Sequence, residues 1–227
     1  MKSTSIAENI INYYDKSFDY RTRRIDDRRM ARWLGNIPTN GHARPTMLDV
    51  GCGVGDTVDW AKRCNIDWCG AEISLTAAEL GNSWGRSIMN VDCQQMPFAN
   101  NTFDIVTALG SLEHFESPLA GLREIYRVLK PDGHAVVLVP SRPIIESLGL
   151  FHGTDQPHEI RLTRQGWHRL IEDAGFVVSR TRRDFGPPVL KNYKPIKIIQ
   201  RLLVKATVCL PDWLVYLWLF DCKKEGR

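Results

Sequence analysis

The sequence predicts a doubly wound α/β fold, in which a mostly parallel sheet carries helices on both faces. Apolar runs of strand length alternate with stretches of helical periodicity through much of the chain. Residues 135–139 form a continuous apolar run, which is typical of a parallel strand buried on both faces. The stretch "MLDVGCGVGD" places three glycines directly after another apolar run. Such a strand-to-helix turn is where ligands bind in doubly wound sheets.

The chain of 227 residues has the composition of a globular protein, with 43% hydrophobic and 25% charged residues. Its net charge of +4 is too small to indicate nucleic-acid binding by itself. The N-terminal stretch contains no apolar signal segment, and the six cysteines show neither a C-x-x-C pair nor zinc-finger spacing. We therefore expect a cytoplasmic protein with reduced thiols. The apolar stretch around 213–220 is too short to span a bilayer.

The predicted elements divide the chain into a helical N-terminal cap and a core that contains the sheet. Residues 1–45 are the predicted cap, since apolar side chains recur at helical spacing between 6 and 35. The predicted core extends from 46 to 227. In it, strands are predicted at 47–50, 68–73, 88–91, 103–109 and 135–139, and helices at 56–63, 75–84 and 118–129. Ser74 is expected to cap the second of these helices.

The C-terminal part is predicted to add two strands, at 177–185 and 213–222, after a helix in "LTRQGWHRLIEDAGF". An insertion at about 187–211 separates them and contains a basic amphipathic helix. Its basic residues are Lys194, Lys197, Arg201 and Lys205, opposite Ile196, Ile199 and Leu203. Two interpretations stay open. The segment 194–208 is either a cap helix with a solvated basic face or a helix that contacts an anionic membrane or a lipid-linked ligand.

The glycine-rich turn indicates a bound nucleoside. Gly51 and Gly53 allow the backbone to turn sharply and to approach a ligand without a Cβ in the way. Glu72 ends the second predicted strand, where a carboxylate accepts hydrogen bonds from a ribose diol in dinucleotide-binding sheets. Gly55, however, comes one residue earlier than the third glycine of the dinucleotide fingerprint. A tight turn without a ligand and a surface acid at a strand end are the structural alternatives.

Five segments resemble, in order and spacing, those of Rossmann-like methyltransferases that use S-adenosylmethionine. The segments are "MLDVGCGVGD", "AEIS", "NVDCQQMPFANNTFDIV", "LGSLEHF" and "EIYRVLKPDGHAVVLVP". The likeness is closest to the group that contains the ubiquinone and menaquinone methyltransferases, and it covers residues 46–185. It implies a Rossmann-like, mostly parallel seven-stranded sheet closed by an antiparallel C-terminal hairpin. The early third glycine agrees with this cofactor, which has no pyrophosphate to align on a helix N-terminus.

The resemblance also implies which residues bind the cofactor. The glycine loop would face the methionine part, Glu72 the ribose and Asp92 the adenine amino group. Leu109 and Gly110, at the end of the fourth strand, would line the cofactor near the reacting methyl group. The full set is Asp49, Gly51, Cys52, Gly53, Glu72, Ile73, Asp92, Cys93, Leu109 and Gly110.

Two histidines are the candidates for catalysis. His114 follows the fourth predicted strand, and His158 lies after the fifth, where the family carries loops that face the substrate. Either ring can act as a general base, or it can serve only in helix capping and packing. Some relatives bind a divalent ion through an E-x-x-E-H run. Gly110 replaces the first acid here, so no metal site is expected.

The predicted cap carries two further features. Tyr13, Tyr14 and Tyr20 are candidates for substrate binding, because relatives use such an aromatic segment as a lid; packing on the core is the alternative. An arginine-rich run is interpreted either as an exposed helix face with ion pairs inside the helix or as a contact for an anionic substrate. Its members are Arg21, Arg23, Arg24, Arg28, Arg29 and Arg32.

The sequence thus predicts an enzyme that methylates oxygen or carbon of a small molecule, such as a quinone, a glycan or lipid intermediate, or a secondary metabolite. A non-catalytic S-adenosylmethionine-binding module and an NAD-dependent oxidoreductase are the alternatives. A nucleic-acid substrate is disfavoured, because "LGSLEH" stands where the adenine-N6 enzymes carry an Asn/Asp-Pro-Pro-aromatic run. The expected location is cytoplasmic, with peripheral contact to the inner face of a membrane left open. The oligomeric state is not indicated.

Overall fold

The structure, a computed structural model, describes residues 6–16, 27–38, 41, 43–141, 158–184, 212, 215 and 217–225. Its centre is a seven-stranded sheet of order β3-β2-β1-β4-β5-β7-β6. The strands are β1 (Thr46–Val50), β2 (Asp67–Glu72), β3 (Ile88–Asn90), β4 (Phe103–Leu109), β5 (Leu129–Pro140), β6 (Val177–Asp184) and β7 (Leu217–Lys223). β1 to β5 pair in parallel, and β7 runs antiparallel to both β5 and β6. The predicted doubly wound sheet with its antiparallel C-terminal hairpin is therefore confirmed.

Helices connect the strands and cover both faces of the sheet. They are α1 (Ile6–Lys16), α2 (Asp27–Leu34), α3 (Val58–Arg63), α4 (Leu75–Ser83), α5 (Pro118–Val128) and α6 (Arg164–Asp173), with a 3₁₀ turn at Leu112–His114. Side-chain oxygens cap three of them: Ser74, Ser117 and Thr163 each accept a hydrogen bond from a backbone amide in the first turn. None of the helices in the described ranges is long and apolar enough to cross a membrane.

The hydrophobic core lies on the two faces of the sheet, because side chains alternate along each strand. Leu48 belongs to the cluster that packs against α5 and α6, where Trp167 is fully buried. Its neighbour Met47 points to the opposite face and packs with Trp33 of α2. Burial of each such side chain stabilises the fold by about 1.5–3 kcal/mol. This packing fixes the strand ends that carry the candidate site.

Some predicted boundaries differ from those of the structure. The helix predicted at 56–63 begins only at Val58, because turns occupy the residues before it. The fifth strand starts six residues before the predicted 135–139, at Leu129, and passes through Asp132 with a positive φ of 61°. The last strand is described from Leu217 onward. The insertion at 187–211 lies outside the described residues, as does Tyr20.

Two members of the arginine-rich run have a partner that the sequence did not predict. Arg32 lies 2.9 Å from one carboxylate oxygen of Asp184, and Arg29 lies 3.6 Å from the other. The indole nitrogen of Trp33 also donates to Asp184, at 2.7 Å. Asp184 is buried at the end of β6 and requires opposite charge there. These two arginines therefore attach α2 to the sheet, a contact that the expectation of pairing inside the helix did not include.

Candidate functional site

The glycine loop after β1 needs glycine for reasons of conformation and space. Gly51, Gly53 and Gly55 have φ values of 65°, 56° and 88°. A Cβ on Gly51 would lie 2.4 Å from the Cβ of Ser111, which follows β4. The Gly51 amide donates to the carbonyl of Ala71 at 2.8 Å. The loop is thus held against the carboxyl ends of β2 and β4, where the strand order reverses.

Glu72 is fixed by the loop itself. Its Oε2 accepts a hydrogen bond from the Gly53 amide at 2.8 Å, and its Oε1 accepts one from the Ser74 amide at 2.9 Å. Burial raises the pKa of this carboxyl, and the backbone hydrogen bonds oppose that rise. Each oxygen keeps a second lone pair for another donor. The carboxylate is therefore oriented to accept from two neighbouring hydroxyls of a ligand.

Asp49 lies beneath the loop, with its carboxylate already engaged. Its oxygens accept hydrogen bonds from the hydroxyls of Thr57 at 2.6 Å and of Thr107 at 2.7 Å. Trp68 donates to the same Thr57 hydroxyl at 2.7 Å. Burial raises the pKa of Asp49 to about 6, although the two hydroxyls lower it. Asp49 thus links β1, the loop and β4, which positions the loop.

Polar groups at the carboxyl ends of β2 and β3 are placed to bind the nucleobase of a nucleoside. Asp92 is exposed, and its carboxylate accepts from the Gln94 amide at 2.8 Å. Ile73 is half-buried, and its carbonyl accepts from the Asn90 side chain at 2.9 Å. Sequence reasoning missed Asn90, although a polar residue at a strand end beside Asp92 was the available signal.

The two cysteines of the predicted site are packed. A Cβ on Gly70 would lie 2.4 Å from the Cys52 sulfur, so this thiol occupies the space beside β2. The Cys93 thiol donates to the Ala71 carbonyl at 3.6 Å. Burial raises the pKa of both thiols well above the usual range. Neither is therefore a nucleophile at neutral pH.

A glycine and a buried acid lie at the end of β4. Gly110, which follows Leu109, has a φ of 80°, and its amide donates to the Leu138 carbonyl at 2.8 Å. Among the described residues, a Cβ placed on Gly110 would meet only one atom within 4 Å, Oε1 of Glu113 at 3.6 Å. The Glu113 carboxyl therefore folds back over the strand end. Burial, with a smaller contribution from the charge of Glu159, raises its pKa to about 8.

His114 has a defined tautomer. Its Nδ1 lies 2.6 Å from the carbonyl oxygen of His158, and a carbonyl can only accept, so Nδ1 carries a proton. In the neutral ring the lone pair is then on Nε2, which lies 3.9 Å from Glu113 Oε1. The backbone of His158, and not its ring, makes this contact. The His158 Nε2 is buried and has no hydrogen-bond partner among the described residues.

Helix α1 packs against two parts of the site, the turn that carries His114 and the cluster beside the glycine loop. The Tyr14 ring packs edge-on against His114, with centroids 5.9 Å apart, and contacts Tyr13 at 5.2 Å. Tyr14 also packs against the small cluster that Val54 of the glycine loop forms with Ala77 of α4. Across the part of the chain that the structure describes, no group of three or more His, Cys, Asp or Glu side chains is placed to hold a metal ion.

Comparison with known proteins gives this arrangement a context. Residues 20–181 match the family described as "Methyltransferase domain". The chain is 37% identical over 102 residues to a sterol 4-C-methyltransferase of Caenorhabditis elegans, which covers 40% of this chain and 29% of that protein. It is 36% identical over 149 residues to the demethylmenaquinone methyltransferase of Staphylococcus aureus, covering 61% and 62%. The match spans less than two thirds of either relative.

Solved structures show the same fold. The geranyl diphosphate C-methyltransferase of Streptomyces coelicolor, solved with Mg²⁺, geranyl diphosphate and S-adenosyl-L-homocysteine, superposes with a TM-score of 0.69. The alignment covers 98% of this chain and 99% of that one, at 16% identity. The cyclopropane synthase MmaA2 of Mycobacterium tuberculosis also gives 0.69, over 99% and 100%, at 16% identity. At these identities the likeness concerns the fold alone.

Proposed function

Because this chain belongs to the methyltransferase-domain family, we propose that it transfers a methyl group from S-adenosylmethionine to a small-molecule acceptor. S-adenosylmethionine supplies a methyl group activated by the positive charge on sulfur. The observation that carries the proposal is the Glu72 carboxylate, which the amides of Gly53 and Ser74 hold at the strand edge beside the glycine loop. That geometry suits the two hydroxyls of a ribose.

The residues around Glu72 suit the rest of the cofactor. The exposed carboxylate of Asp92 would accept from the adenine amino group, with Ile73 and Cys93 beside it. The glycine loop would hold the methionine part. The helix after the loop begins at Val58 and not at the third glycine, so no helix N-terminus is aligned on a pyrophosphate. This favours S-adenosylmethionine over NAD.

The chain's own residues would align the acceptor and exclude water. Leu109 and Gly110 would line the cofactor near its reacting methyl group. Among the described residues a Cβ on Gly110 would meet only Glu113 Oε1, at 3.6 Å, which is compatible with a ligand at this strand end. His114 Nε2 would accept a proton from the acceptor, with its ring held by the His158 carbonyl. Tyr13 and Tyr14 on α1 would cover the acceptor, together with Tyr20, which lies outside the described residues.

The experiment that tests the proposal is calorimetric titration with S-adenosylmethionine, S-adenosylhomocysteine and NAD in parallel. Micromolar binding of the first two and no binding of NAD is the expected result, and the reverse would establish an oxidoreductase. Transfer of a radiolabelled methyl group to small hydroxylated compounds then tests turnover. Binding without transfer to any acceptor would identify a non-catalytic binding module.

Membrane contact is a separate proposal, which rests on the basic pattern of 194–208. Co-sedimentation with vesicles that contain phosphatidylglycerol, against vesicles of phosphatidylcholine alone, tests it. Binding to the anionic vesicles only, and its loss when Lys194, Lys197, Arg201 and Lys205 are replaced by glutamine, is the expected outcome. Equal binding to both kinds of vesicle, or to neither, would contradict it.

A further inference from the structure

Asp49 is a buried acid that two threonine hydroxyls hold in place beneath the glycine loop. It is 3% exposed, and each of its carboxylate oxygens accepts a hydrogen bond, one from Thr57 at 2.6 Å and the other from Thr107 at 2.7 Å. Both threonines are themselves buried. Thr107 lies opposite Asp49 on β4, whereas Thr57 follows the loop, directly before α3. The carboxylate is therefore fixed from two different elements of the fold.

The Thr57 hydroxyl is oriented by Trp68 of β2. The indole nitrogen of Trp68 lies 2.7 Å from the Thr57 oxygen, and an indole N–H can only donate. The hydroxyl accepts this bond, so its single hydrogen points to Asp49. The Trp68 ring also supports the loop, since a Cβ on Gly55 would lie 2.8 Å from its Cη2. Trp68 and Thr57 thus form a chain of donors that ends on the carboxylate.

The groups around Asp49 do not neutralise its charge. Glu72, at the end of β2, and Asp56, in the turn before α3, are acids whose charges oppose the ionisation of Asp49. Burial raises the pKa of the thiols of Cys52 and Cys69, so both stay uncharged at neutral pH. From β4 comes only the hydroxyl described above. Within the described ranges no basic side chain forms an ion pair with Asp49.

The two hydroxyls decide whether Asp49 is charged at neutral pH. Burial raises the pKa of Asp49 to about 6, and the hydrogen bonds from Thr57 and Thr107 oppose that rise. A hydroxyl that donates to a carboxylate favours the ionised form, by about 1–2 pH units for each bond. Without one of these bonds the carboxyl would be about half protonated, or more, at pH 7.

We propose that Thr57 and Thr107 are positioning residues, which hold Asp49 as a fixed anion whose charge attracts the methionine part of S-adenosylmethionine. This inference rests on the proposed function, which places that part of the cofactor at the glycine loop. The methionine part carries a sulfonium and an ammonium group against a single carboxylate, so its net charge is positive. Asp49 lies beneath the loop and both of its oxygens already accept a hydroxyl, so it acts through its charge and not through direct contact.

Calorimetric titration of the wild type between about pH 5 and 8 tests the role of the charge. The ligands are S-adenosylmethionine and 5′-methylthioadenosine, which keeps the adenine and the ribose but is uncharged at these pH values. Because Glu72 would contact the ribose of both ligands, the ratio of their dissociation constants removes its contribution. S-adenosylmethionine is expected to lose about tenfold in affinity relative to 5′-methylthioadenosine as pH falls through the Asp49 pKa of about 6. A ratio that does not change with pH would overturn the proposal.

Valine and serine variants then test the two hydroxyls. Thr57→Val and Thr107→Val keep the shape of the side chain but remove the donor. The pH at which half of the relative affinity is lost should therefore rise by about 1–2 units. Thr57→Ser and Thr107→Ser keep the donor and should retain the wild-type midpoint. Thr46→Val is the matched control, because the Thr46 hydroxyl donates to Asp104 at the other end of β1.

The midpoint separates the proposed role from a role in packing. Loss of packing alone would weaken binding at every pH and leave the midpoint where it is in the wild type. An unchanged midpoint in both valine variants, or the same rise in their serine counterparts, would therefore overturn the proposal while S-adenosylmethionine still binds. If the wild type binds S-adenosylmethionine at no pH, the proposed function fails as well. Circular dichroism checks that each variant is folded, and the wild-type ratio tests the proposal where one is not.

Discussion

Asp15 on α1 accepts hydrogen bonds from the hydroxyl of Ser74 at 2.5 Å and from the amide of Thr76 at 3.2 Å. Ser74 is also the N-cap of α4, and its amide donates to Glu72. One carboxylate therefore attaches the N-terminal helix to the strand end that carries the proposed ribose site. The negative charge of Asp15 lies at a helix N-terminus, where it is stabilised. Docking of α1 and binding of the cofactor are expected to favour each other.

Replacement of Asp15 by alanine tests this coupling. Loss of a hydrogen bond to a charged group should weaken the docking of α1 by about 1.5–3 kcal/mol. Hydrogen exchange in 6–16 should therefore become faster, and S-adenosylhomocysteine should protect this segment less than in the wild type. Asn12→Ala, at an exposed position of the same helix, is the matched control. Identical exchange in the wild type and Asp15→Ala would show that α1 is held by other contacts.

Glu72 should be the residue on which cofactor affinity depends most. Glu72→Ala would remove the proposed charge-assisted hydrogen bonds to the ribose, and it leaves the Gly53 and Ser74 amides without their partner. The dissociation constant of S-adenosylhomocysteine is expected to rise by about 10- to 150-fold, which corresponds to about 1.5–3 kcal/mol. Glu79→Gln, an exposed acid on the adjacent helix, should bind as the wild type does. Wild-type affinity in Glu72→Ala would remove Glu72 from the site.

Glycine at position 51 is expected to be required for space as well as for conformation. Gly41 also has a positive φ, of 73°, but a Cβ there would meet no atom of the described residues within 4 Å. Gly41→Ala should therefore cost only the backbone strain, about 1–2 kcal/mol. Gly51→Ala adds the clash with Ser111 and should destabilise the protein by at least about 1 kcal/mol more. Chemical denaturation of both variants checks this, and equal losses would show that the loop can move away from Ser111.

Local patterns in the sequence were sufficient to predict the first parallel strands and the strand-end residues, whereas the seven-stranded sheet with its C-terminal hairpin was implied by the family resemblance. Alternation and spacing predicted β1 to β4 within one or two residues and placed Gly51 and Glu72 at one edge, because in parallel sheets the carboxyl ends of neighbouring strands meet. In the structure the Gly51 amide donates a hydrogen bond to the carbonyl of Ala71, the residue directly before Glu72. Their role in cofactor binding stays a prediction.

Contacts between distant segments could not be predicted in this way. Asp15 and Ser74 are 59 positions apart, and nothing in the local pattern of α1 specifies this partner. The same holds for Arg32, whose partner Asp184 lies on β6, whereas local reasoning considered only acids on the same helix. In the sequence Glu113 is only the second acid of the incomplete E-x-x-E-H run, since a short turn gives no sign that its carboxyl is buried. Burial is a property of the folded chain, and it decides the protonation state.

The buried Glu113 should also make stability depend on pH. Its pKa is about 8 in the folded protein and near 4.5 in the unfolded chain. Below about pH 4.5 the carboxyl is neutral in both states. Between pH 4.5 and about 8 only the unfolded chain releases the proton, so the free energy of unfolding falls as pH rises. Each pH unit in this window should lower the free energy of unfolding by about 1.4 kcal/mol relative to that of a variant that does not titrate.

Glu113→Gln should therefore gain stability over the wild type as pH rises. Its advantage in Tm is expected to grow by about 3–5 °C per pH unit from pH 5 to 8 and to stay constant above the folded pKa. Glu116→Gln, an exposed acid three residues further along, should follow the wild-type curve at every pH. Thermal unfolding followed by circular dichroism across this range measures the difference. The free energy of unfolding depends on pH only when the folded and unfolded states bind different numbers of protons. Parallel curves for Glu113→Gln and the wild type would therefore mean that Glu113 ionises in the folded protein at the same pH as in the unfolded chain.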